Sequence, residues 1–234
     1  CALPIFAEHG ITHLGGAPVV LGMLVNAPAE ERRPLPHKVQ VMTAGAPPPS
    51  AVLAKMAELG FEVTQVYGLT ETYGHVVHCA WQPEWDDLPF TEQAEMKARQ
   101  GVRFPITEGL ELRDPETGAT PPADGTTMGE VIIRGNTVMK GYHKDAAATE
   151  KAFKDGFFRS GDIAVRHANG YVEVKDRLKD VIISGGENVS SIEIESRLYK
   201  HAAVANAAVV AKPDPKWGEV PCAFVELKPG PQVT

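Results

Sequence analysis

Helix and strand patterns alternate through the first third of the chain, and this alternation is the strongest constraint on its fold. Four segments carry it, namely predicted helices at 18–24 and 50–59 and predicted buried strands at 38–43 and 61–66. Ser50 is the predicted N-cap of the second helix. Such alternation favours an α/β fold with a parallel sheet flanked by helices, in which ligands bind where strands end and loops begin.

Polar or small residues follow the ends of both predicted strands. The first loop contains Gly45, Ala46 and Pro47, and the second loop follows Tyr67 and Gly68. In the second loop a hydroxyl and a carboxylate stand at consecutive positions, Thr70 and Glu71. The two loops are therefore the candidate ligand site of this part of the chain.

The predicted secondary structure changes twice in the later part of the chain. A predicted surface helix at 91–100 carries Glu95 and Arg99 at ion-pair spacing. Strand patterns then dominate and predict a β-rich subdomain at about 102–178, with segments at 109–114, 129–134, 161–166 and 170–175.

After residue 178 the pattern predicts a second, smaller α+β domain at 179–234. Ser190 and Glu193 form a predicted capping box that opens a helix ending at Lys200. A strand at 204–211, a proline-rich loop at 212–221 and a strand at 222–227 are predicted to follow.

Composition is that of a soluble globular protein, with 43% apolar and 23% charged residues. The net charge of -7, with no segment rich in lysine and arginine, argues against a nucleic-acid partner. Cys1, Cys79 and Cys222 are far apart and are expected to be reduced thiols. Neither a signal peptide nor a run of the ~20 apolar residues that a membrane span needs is visible, so we expect a cytoplasmic location.

Four motifs in a fixed order resemble the adenylate-forming superfamily, specifically the AMP-forming acyl-CoA synthetases. They lie at residues 66–72, 158–162, 176–180 and 184–188. The resemblance covers almost the whole chain but only the middle and C-terminal part of such an enzyme. It implies part of the large adenylate-binding domain at 1–178, an α/β sheet layer plus the β-rich subdomain, followed by part of a mobile C-terminal lid at 179–234.

The resemblance also implies the chemistry. A carboxylate attacks the α-phosphorus of ATP, giving an acyl-adenylate and pyrophosphate, and the thiol of coenzyme A then displaces AMP. The implied cofactors are ATP or AMP, Mg²⁺ and coenzyme A, and the implied partner is a small-molecule carboxylic acid. A homodimer is one expected assembly.

Two residues are the implied catalytic groups. Thr70 is expected to contact the α-phosphate, and Glu71 is expected to be the Mg²⁺ ligand, since a carboxylate supplies hard oxygen atoms. The alternatives, that Thr70 is a turn cap and Glu71 a solvated surface charge, stay open.

The implied nucleotide-binding residues come from four places in the chain. The small loop Gly45, Ala46 and Pro47 would let a flat ring approach the backbone, and Tyr67 with Gly68 would lie against adenine. Asp162 suits the two ribose hydroxyls, and Arg177 adds donors to the sugar or phosphate. An ordinary core tyrosine and a structural Asp162–Arg177 pair are the alternatives.

The resemblance implies further site residues from their positions relative to the four motifs. Lys179 matches the hinge of the lid, and Ser184, Gly185 and Gly186 match the loop that lines the coenzyme A tunnel. His75 and Trp81 are candidates for the acyl pocket, whose apolar surroundings favour a small or medium aliphatic acid. Within the family the chain looks most like short- and medium-chain synthetases, including methylmercaptopropionate-CoA ligases.

The chain departs from the family pattern in several places. Ser160 replaces the usual threonine, Asp176 replaces the usual glycine, and Lys179 stands where many relatives have aspartate. The phosphate-binding loop and the C-terminal lysine of the family are missing, so we expect a fragment that does not adenylate alone. An adenylation domain that delivers to a carrier protein and a non-catalytic nucleotide-binding module are the alternative functions.

Overall fold

The computed structural model describes residues 3–45, 48–228 and 230. Within these residues the chain forms three sheets that follow one another along the sequence. The mixture of helices and sheets is the predicted α/β architecture.

The first sheet is the predicted α/β layer. Its strand order is β1-β2-β3-β4-β5, with β1 to β3 parallel and β3 to β5 antiparallel. The strands are β1 (His13–Gly15), β2 (Val39–Thr43), β3 (Phe61–Leu69), β4 (Gly74–His78) and β5 (Val102–Arg103). The helices are α1 (Leu3–Glu8), α2 (Pro18–Val25), α3 (Ser50–Glu58) and α4 (Phe90–Lys97). Helices α1 to α3 pack on β2 and β3 around a core that includes Leu21, Met56 and Phe61.

Two predictions in this layer need correction. Ser50 is the first residue of α3 and makes no capping bond, because the N-cap position is taken by Pro49, whose carbonyl accepts from Val52 and Leu53. Helix α4 ends at Lys97, before Arg99, and Glu95 lies 3.7 Å from Lys200 in a later part of the chain.

The second sheet is the predicted β-rich layer. Its order is β10-β9-β7-β6, all antiparallel, with the short β8 paired to β9. The elements are β6 (Gly109–Arg113), β7 (Gly129–Arg134), α5 (Ala146–Ala152), β8 (Phe153–Lys154), β9 (Phe157–Arg166) and β10 (Val172–Arg177). Its core continues into the first sheet, because Tyr67 and Val77 pack in one cluster with Ile133 and Phe158.

The third sheet has the order β12-β11-β14-β13. Its elements are β11 (Ile182–Ser184), β12 (Glu187–Val189), α6 (Ser191–Leu198), β13 (Val204–Asp214) and β14 (Gly218–Leu227). Ser190 is the N-cap of α6 and accepts from the backbone N–H of Glu193, which confirms this half of the predicted capping box, while the return bond of Glu193 stays a prediction. The helix ends two residues before Lys200.

The predicted loop at 212–221 is wrong. Strands β13 and β14 run on as a long hairpin, and the turn is closed by Asp214, whose Oδ1 accepts from the N–H groups of Lys216 and Trp217. Pro213 is tolerated because β13 is an edge strand of this sheet, where a missing N–H breaks no second ladder.

The predicted boundary at 178/179 falls in the short connection between β10, which ends at Arg177, and β11, which begins at Ile182. The domain limits themselves stay predictions. In the described part of the chain, no helix combines the length and the hydropathy that crossing a membrane requires.

Candidate active site

A single 3-10 turn, Thr70–Thr72, connects β3 to β4 and carries the two predicted catalytic residues. The residue that caps this turn is Thr72, which is 1% exposed and has its hydroxyl 2.9 Å from the N–H of Leu69 and 2.8 Å from the carbonyl of Gly74. Thr70 is exposed and Glu71 is half-buried. The capping task therefore belongs to Thr72, which leaves the hydroxyl of Thr70 at the surface.

Gly68 is required by the hairpin itself. It pairs with His75 across the two strands, and a Cβ at position 68 would lie 2.0 Å from the carbonyl oxygen of Gly74. The two backbones thus approach more closely than any side chain would allow. Its predicted contact with the nucleotide stays a prediction.

Tyr67, Asp162 and Arg177 come together although they are far apart in sequence. The Tyr67 hydroxyl donates to Asp162 Oδ2 at 2.7 Å. Asp162 on β9 is the register partner of Arg177 on β10, so the two residues lie opposite each other in the sheet. The ring of Tyr67 is 8% exposed and packs in the core of the second sheet, so its hydroxyl edge is the part that reaches the site. The three residues form one polar cluster at the junction of two sheets.

The charges around Asp162 set its protonation behaviour. Burial raises the pKa of this carboxyl, the Tyr67 hydrogen bond and the charge of Arg177 oppose the rise, and the charge of Glu71 adds to it. Burial and the neighbouring Asp162 likewise raise the pKa of Tyr67 well above its usual value. Tyr67 lies on β3 three residues before Thr70, so the cluster and the Thr70–Thr72 turn are neighbours along one strand.

The backbone of β9 is shaped to present Asp162. Gly161 has φ +74 and donates its N–H to Glu130 Oε1 at 3.1 Å, and Arg159 forms an ion pair with the same buried carboxylate. The hydroxyl of Ser160 donates to the Val131 carbonyl at 2.6 Å. Any hydroxyl suffices for that bond, which explains why serine serves where the family usually has threonine.

An open cleft of about 470 Å³ adjoins the Thr70–Thr72 turn. Its other wall is the segment after β7, which bonds Glu71 twice: Met139 N–H donates to the Glu71 carbonyl at 2.7 Å, and the Tyr142 hydroxyl donates to Glu71 Oε1 at 3.1 Å. Sequence reasoning missed Tyr142, because it lies 71 residues from its partner and no local pattern marks it.

The donor set of this cleft fits a magnesium ion that arrives with a phosphate. Among the residues that the structure describes, no group of three or more His, Cys, Asp or Glu is arranged to hold a metal. Glu71 and Thr70 nevertheless border the same cleft. Mg²⁺ commonly takes one or two protein carboxylates and completes its shell with substrate phosphates and water.

The last residue of β2 and its register partner in the middle of β3 form a second polar feature that the sequence did not reveal. Thr43 and Gln65 are register partners, and both are almost fully buried. Within the described residues, Thr43 Oγ1 and Gln65 Oε1 have no hydrogen-bond partner, which is uncommon in a core. Gly45, with φ +109, follows directly, whereas the predicted Ala46 and Pro47 lie outside the described residues.

The two candidate residues of the acyl pocket lie in different places. His75 is on β4 beside the turn, with its ring 4.3 Å from that of Phe104. Trp81 lies beyond the far end of β4, against the ring of Trp85, and donates to Asp86 at 2.8 Å. At about 3.3 Å per strand residue, β4 alone places Trp81 well away from the Thr70–Thr72 turn.

The predicted hinge and loop lie next to each other. Lys179 is exposed in a turn closed by the N–H groups of Asp180 and Val181 on the Arg177 carbonyl. Gly185 and Gly186, with φ +60 and +88, form the turn between β11 and β12. A Cβ at position 185 would lie 2.7 Å from the ring of Trp217, so this glycine loop packs directly on an indole.

Asp176 links β10 to the start of α6. Its carboxylate, 5% exposed, accepts from the N–H and hydroxyl of Ser191 at 2.7 and 2.8 Å and from the N–H of Arg177 at 2.8 Å. Ser190 adds a 2.6 Å bond to the Lys175 carbonyl. The residue that departs from the family's usual glycine thus joins the strand before the predicted hinge to the helix after it.

Comparison with known sequences decides the family. The chain matches the model of the AMP-binding enzyme over residues 2–143 and that of the AMP-binding enzyme C-terminal domain over residues 193–234. The chain belongs to the AMP-binding enzyme family. The resemblance to AMP-forming acyl-CoA synthetases, drawn from four motifs, is confirmed at this level.

Similar curated proteins are CoA ligases from plants. Acetate–CoA ligase CCL3 of Humulus lupulus is 60% identical over 224 residues, which are 95% of this chain and 39% of that protein. Acetate/butyrate–CoA ligase AAE7, peroxisomal, of Arabidopsis thaliana is 56% identical over 225 residues, which are 96% of this chain and 40% of that protein. The chain therefore spans about two fifths of the length of these relatives.

Solved structures share the fold along the whole chain. The amide bond synthetase McbA from Marinactinospora thermotolerans matches with a TM-score of 0.81 and 30% identity, covering 100% of this chain and 45% of that one. The o-succinylbenzoate CoA synthetase MenE from Bacillus subtilis, in complex with the acyl-adenylate intermediate OSB-AMP, matches with a TM-score of 0.75 and 31% identity. The match covers 99% of this chain and 44% of that one.

Proposed function

We propose that the natural protein containing this chain activates a short carboxylic acid with ATP and transfers the acyl group to coenzyme A. The observation that carries the proposal is the convergence of Tyr67, Asp162 and Arg177, with Thr70 and Glu71 in the turn that follows the strand of Tyr67. A carboxylate beside a guanidinium suits a ribose next to a phosphate. MenE, with a similar fold, is described in complex with an acyl-adenylate.

In the first half-reaction the chain positions the nucleotide. Asp162 accepts from the ribose hydroxyls, Arg177 donates to the sugar or the phosphate, and Thr70 donates to an α-phosphate oxygen. Glu71 would hold Mg²⁺, and the bound ion would supply positive charge that offsets the charge of the phosphate oxygens. Bringing two anions together is the main obstacle, so positioning and charge neutralisation supply most of the catalysis.

In the second half-reaction the third sheet acts as the lid. Lys179 provides the turn about which it rotates, and the loop at Ser184, Gly185 and Gly186 lines the path of coenzyme A. The bare backbone of the glycines and the half-exposed Trp217 ring beside them supply a narrow apolar wall. Rotation of one such element would let a single site serve both steps.

The acid is a short aliphatic one. His75 adjoins the Thr70–Thr72 turn and is the better supported of the two acyl-pocket candidates. Relatives are named for acetate, for butyrate and, in the case of CCL4 of Humulus lupulus at 58% identity, for 2-methylpropanoate. We extend this class to the present protein.

Thioester formation tests the proposal. The natural protein is incubated with ATP, Mg²⁺ and coenzyme A and with acetate, butyrate, 2-methylpropanoate, hexanoate or 3-(methylthio)propanoate. The expected result is AMP and an acyl-CoA from at least one acid. Transfer only to a phosphopantetheinyl carrier protein, or nucleotide binding without turnover for any acid, would support one of the alternative functions instead.

Three further expectations accompany the proposal. The isolated 1–234 polypeptide should give no ATP–pyrophosphate exchange, since the family's phosphate loop and its C-terminal lysine are missing from these residues. A cytoplasmic location is proposed, although relative AAE7 is named as peroxisomal. A homodimer is the proposed assembly, and sedimentation velocity tests it.

A further inference from the structure

One contact of the catalytic turn is not accounted for by the roles given above. Tyr142 donates its phenol hydroxyl to Glu71 Oε1 at 3.1 Å. Glu71 and Met139 both line the cleft, and the Met139 N–H donates to the Glu71 carbonyl at 2.7 Å from the segment that continues to Tyr142. Both the main chain and the carboxylate of Glu71 are therefore fixed by one short segment.

The segment that carries Tyr142 is itself anchored. The Tyr142 N–H donates to the Thr149 hydroxyl at 2.9 Å, and that hydroxyl donates to the Asp145 carbonyl at 2.7 Å. Asp145 is the N-cap of α5 and accepts from Ala148 at 2.9 Å. A Cβ at Gly141 would lie 2.6 Å from the Thr149 side chain, so the chain passes close against this helix. The backbone of Tyr142 is thus fixed by the start of α5, while its hydroxyl reaches Glu71.

We propose that Tyr142 is a positioning residue that orients Glu71 for the metal. By holding Oε1, the phenol restricts rotation of the carboxylate and leaves Oε2 as the oxygen that it does not bond. A carboxylate fixed in advance loses less freedom when it binds a cation. The inference rests on the proposed function, because it assigns a task to a residue of the same site.

The phenol suits this task chemically. It is neutral and has one hydrogen to donate, so it orients the carboxylate without cancelling its charge. A phenol ordinarily has a pKa of about 10 and keeps its hydrogen at neutral pH. A lysine or arginine at this place would compete with the metal for the same charge.

The test measures metal binding directly. Electron paramagnetic resonance follows Mn²⁺ titrated into the natural protein with α,β-methylene-ATP, whose bridge between the α- and β-phosphorus cannot be cleaved, so that no AMP is transferred to an acid. Tyr142→Phe removes one oxygen from a residue that is 40% exposed, and thermal denaturation checks that the variant folds. Without the phenol the Glu71 carboxylate must be ordered when the ion binds, which should weaken Mn²⁺ binding about 3- to 10-fold. Turnover at saturating Mg²⁺ should stay within about twofold.

Two comparisons separate orientation from general packing. In a Glu71→Gln background the same Tyr142→Phe change should leave Mn²⁺ binding unaltered, because its partner charge is gone. Tyr199→Phe, at the C-cap of α6, is the control and should bind Mn²⁺ as wild type does. Unchanged Mn²⁺ affinity in Tyr142→Phe, or an equal loss in both backgrounds, would overturn the inference.

The result of the Mn²⁺ titration does not depend on which carboxylic acid the protein activates. A wild-type protein that forms no thioester would refute the proposed function, while its Mn²⁺ titration would still report on Tyr142 and Glu71. A wild-type protein that forms the thioester while Tyr142→Phe titrates normally would refute only the positioning role.

Discussion

Removing the carboxylate of Asp176 should loosen the connection between β10 and α6. Asp176 is buried and accepts from Ser191 twice and from Arg177 once. In Asp176→Ala the N–H and hydroxyl of Ser191, which is 8% exposed, lose their acceptor. An unsatisfied buried donor costs about 1–3 kcal/mol, and water entry recovers part of it, so we expect a loss of about 3 kcal/mol.

Two further variants should lose less stability than Asp176→Ala. Asp176→Asn keeps the shape but places an amide N–H₂ opposite one donor, for a loss of about 2 kcal/mol. Ser191→Ala removes only the hydroxyl bond and should cost about 1 kcal/mol. Asp180→Ala, at an exposed position in the next turn, is the control and should stay within about 0.5 kcal/mol.

Hydrogen exchange of the α6 amides measures the local effect, and urea unfolding measures the global one. The predicted order of destabilisation is Asp176→Ala, then Asp176→Asn, then Ser191→Ala, with the loss of protection concentrated in α6. An Asp176→Ala variant within about 1 kcal/mol of wild type would refute this reasoning, because it would mean that the three bonds contribute no net stability.

Three other changes follow from single contacts. Gly68→Ala should destabilise by more than about 2 kcal/mol in urea, because its Cβ would meet the Gly74 carbonyl at 2.0 Å; a milder loss would contradict the geometry. Gly185→Ala should shift the emission of Trp217, whose ring lies 2.7 Å from the added Cβ, and unchanged emission would speak against that packing. Burial opposes ionisation of Glu173, but bonds from His167 and Lys175 outweigh it and lower its pKa to about 2. The stability that ionised Glu173 contributes is therefore present above its unfolded pKa and is lost as the pH falls from about 4.5 toward 2. In Glu173→Gln the free energy of unfolding should fall less steeply over this pH range, and an unchanged pH dependence would contradict the reasoning.

The sequence was most informative where local pattern and structure coincide. The turn with Thr70 and Glu71 follows from an apolar run broken by polar residues, although β3 continues to Leu69, three residues beyond the predicted end at 66. The capping bond of Ser190 follows from short-range spacing, which leaves little room for tertiary contacts to intervene.

Predictions failed where a neighbour or the sheet decided the outcome. Ser50 has the right side chain for a cap, but Pro49 occupies the N-cap position. Prolines suggested a loop at 212–221, yet an edge position tolerates them within a strand. Each pattern was read correctly for an isolated segment and was overridden by its surroundings.

Long-range polar contacts were beyond the reach of sequence reasoning. Nothing near Tyr142 indicates Glu71, and nothing near Asp176 indicates Ser191, which follows 15 residues later in another sheet's helix. The burial of Thr43 and Gln65 depends on how α3 covers the sheet. Such contacts are set by topology, which a single sequence specifies only indirectly.

Calorimetric titration of AMP tests the central claim most directly, with the natural protein in three forms. Asp162→Ala should bind AMP at least about 100-fold more weakly than wild type, the loss expected for two hydrogen bonds to a charged group at about 1.5–3 kcal/mol each. Asp87→Ala, at an exposed position far along the chain from this cluster, should bind as wild type does. Equal AMP affinity in Asp162→Ala and wild type would contradict a nucleotide site built on Tyr67, Asp162 and Arg177.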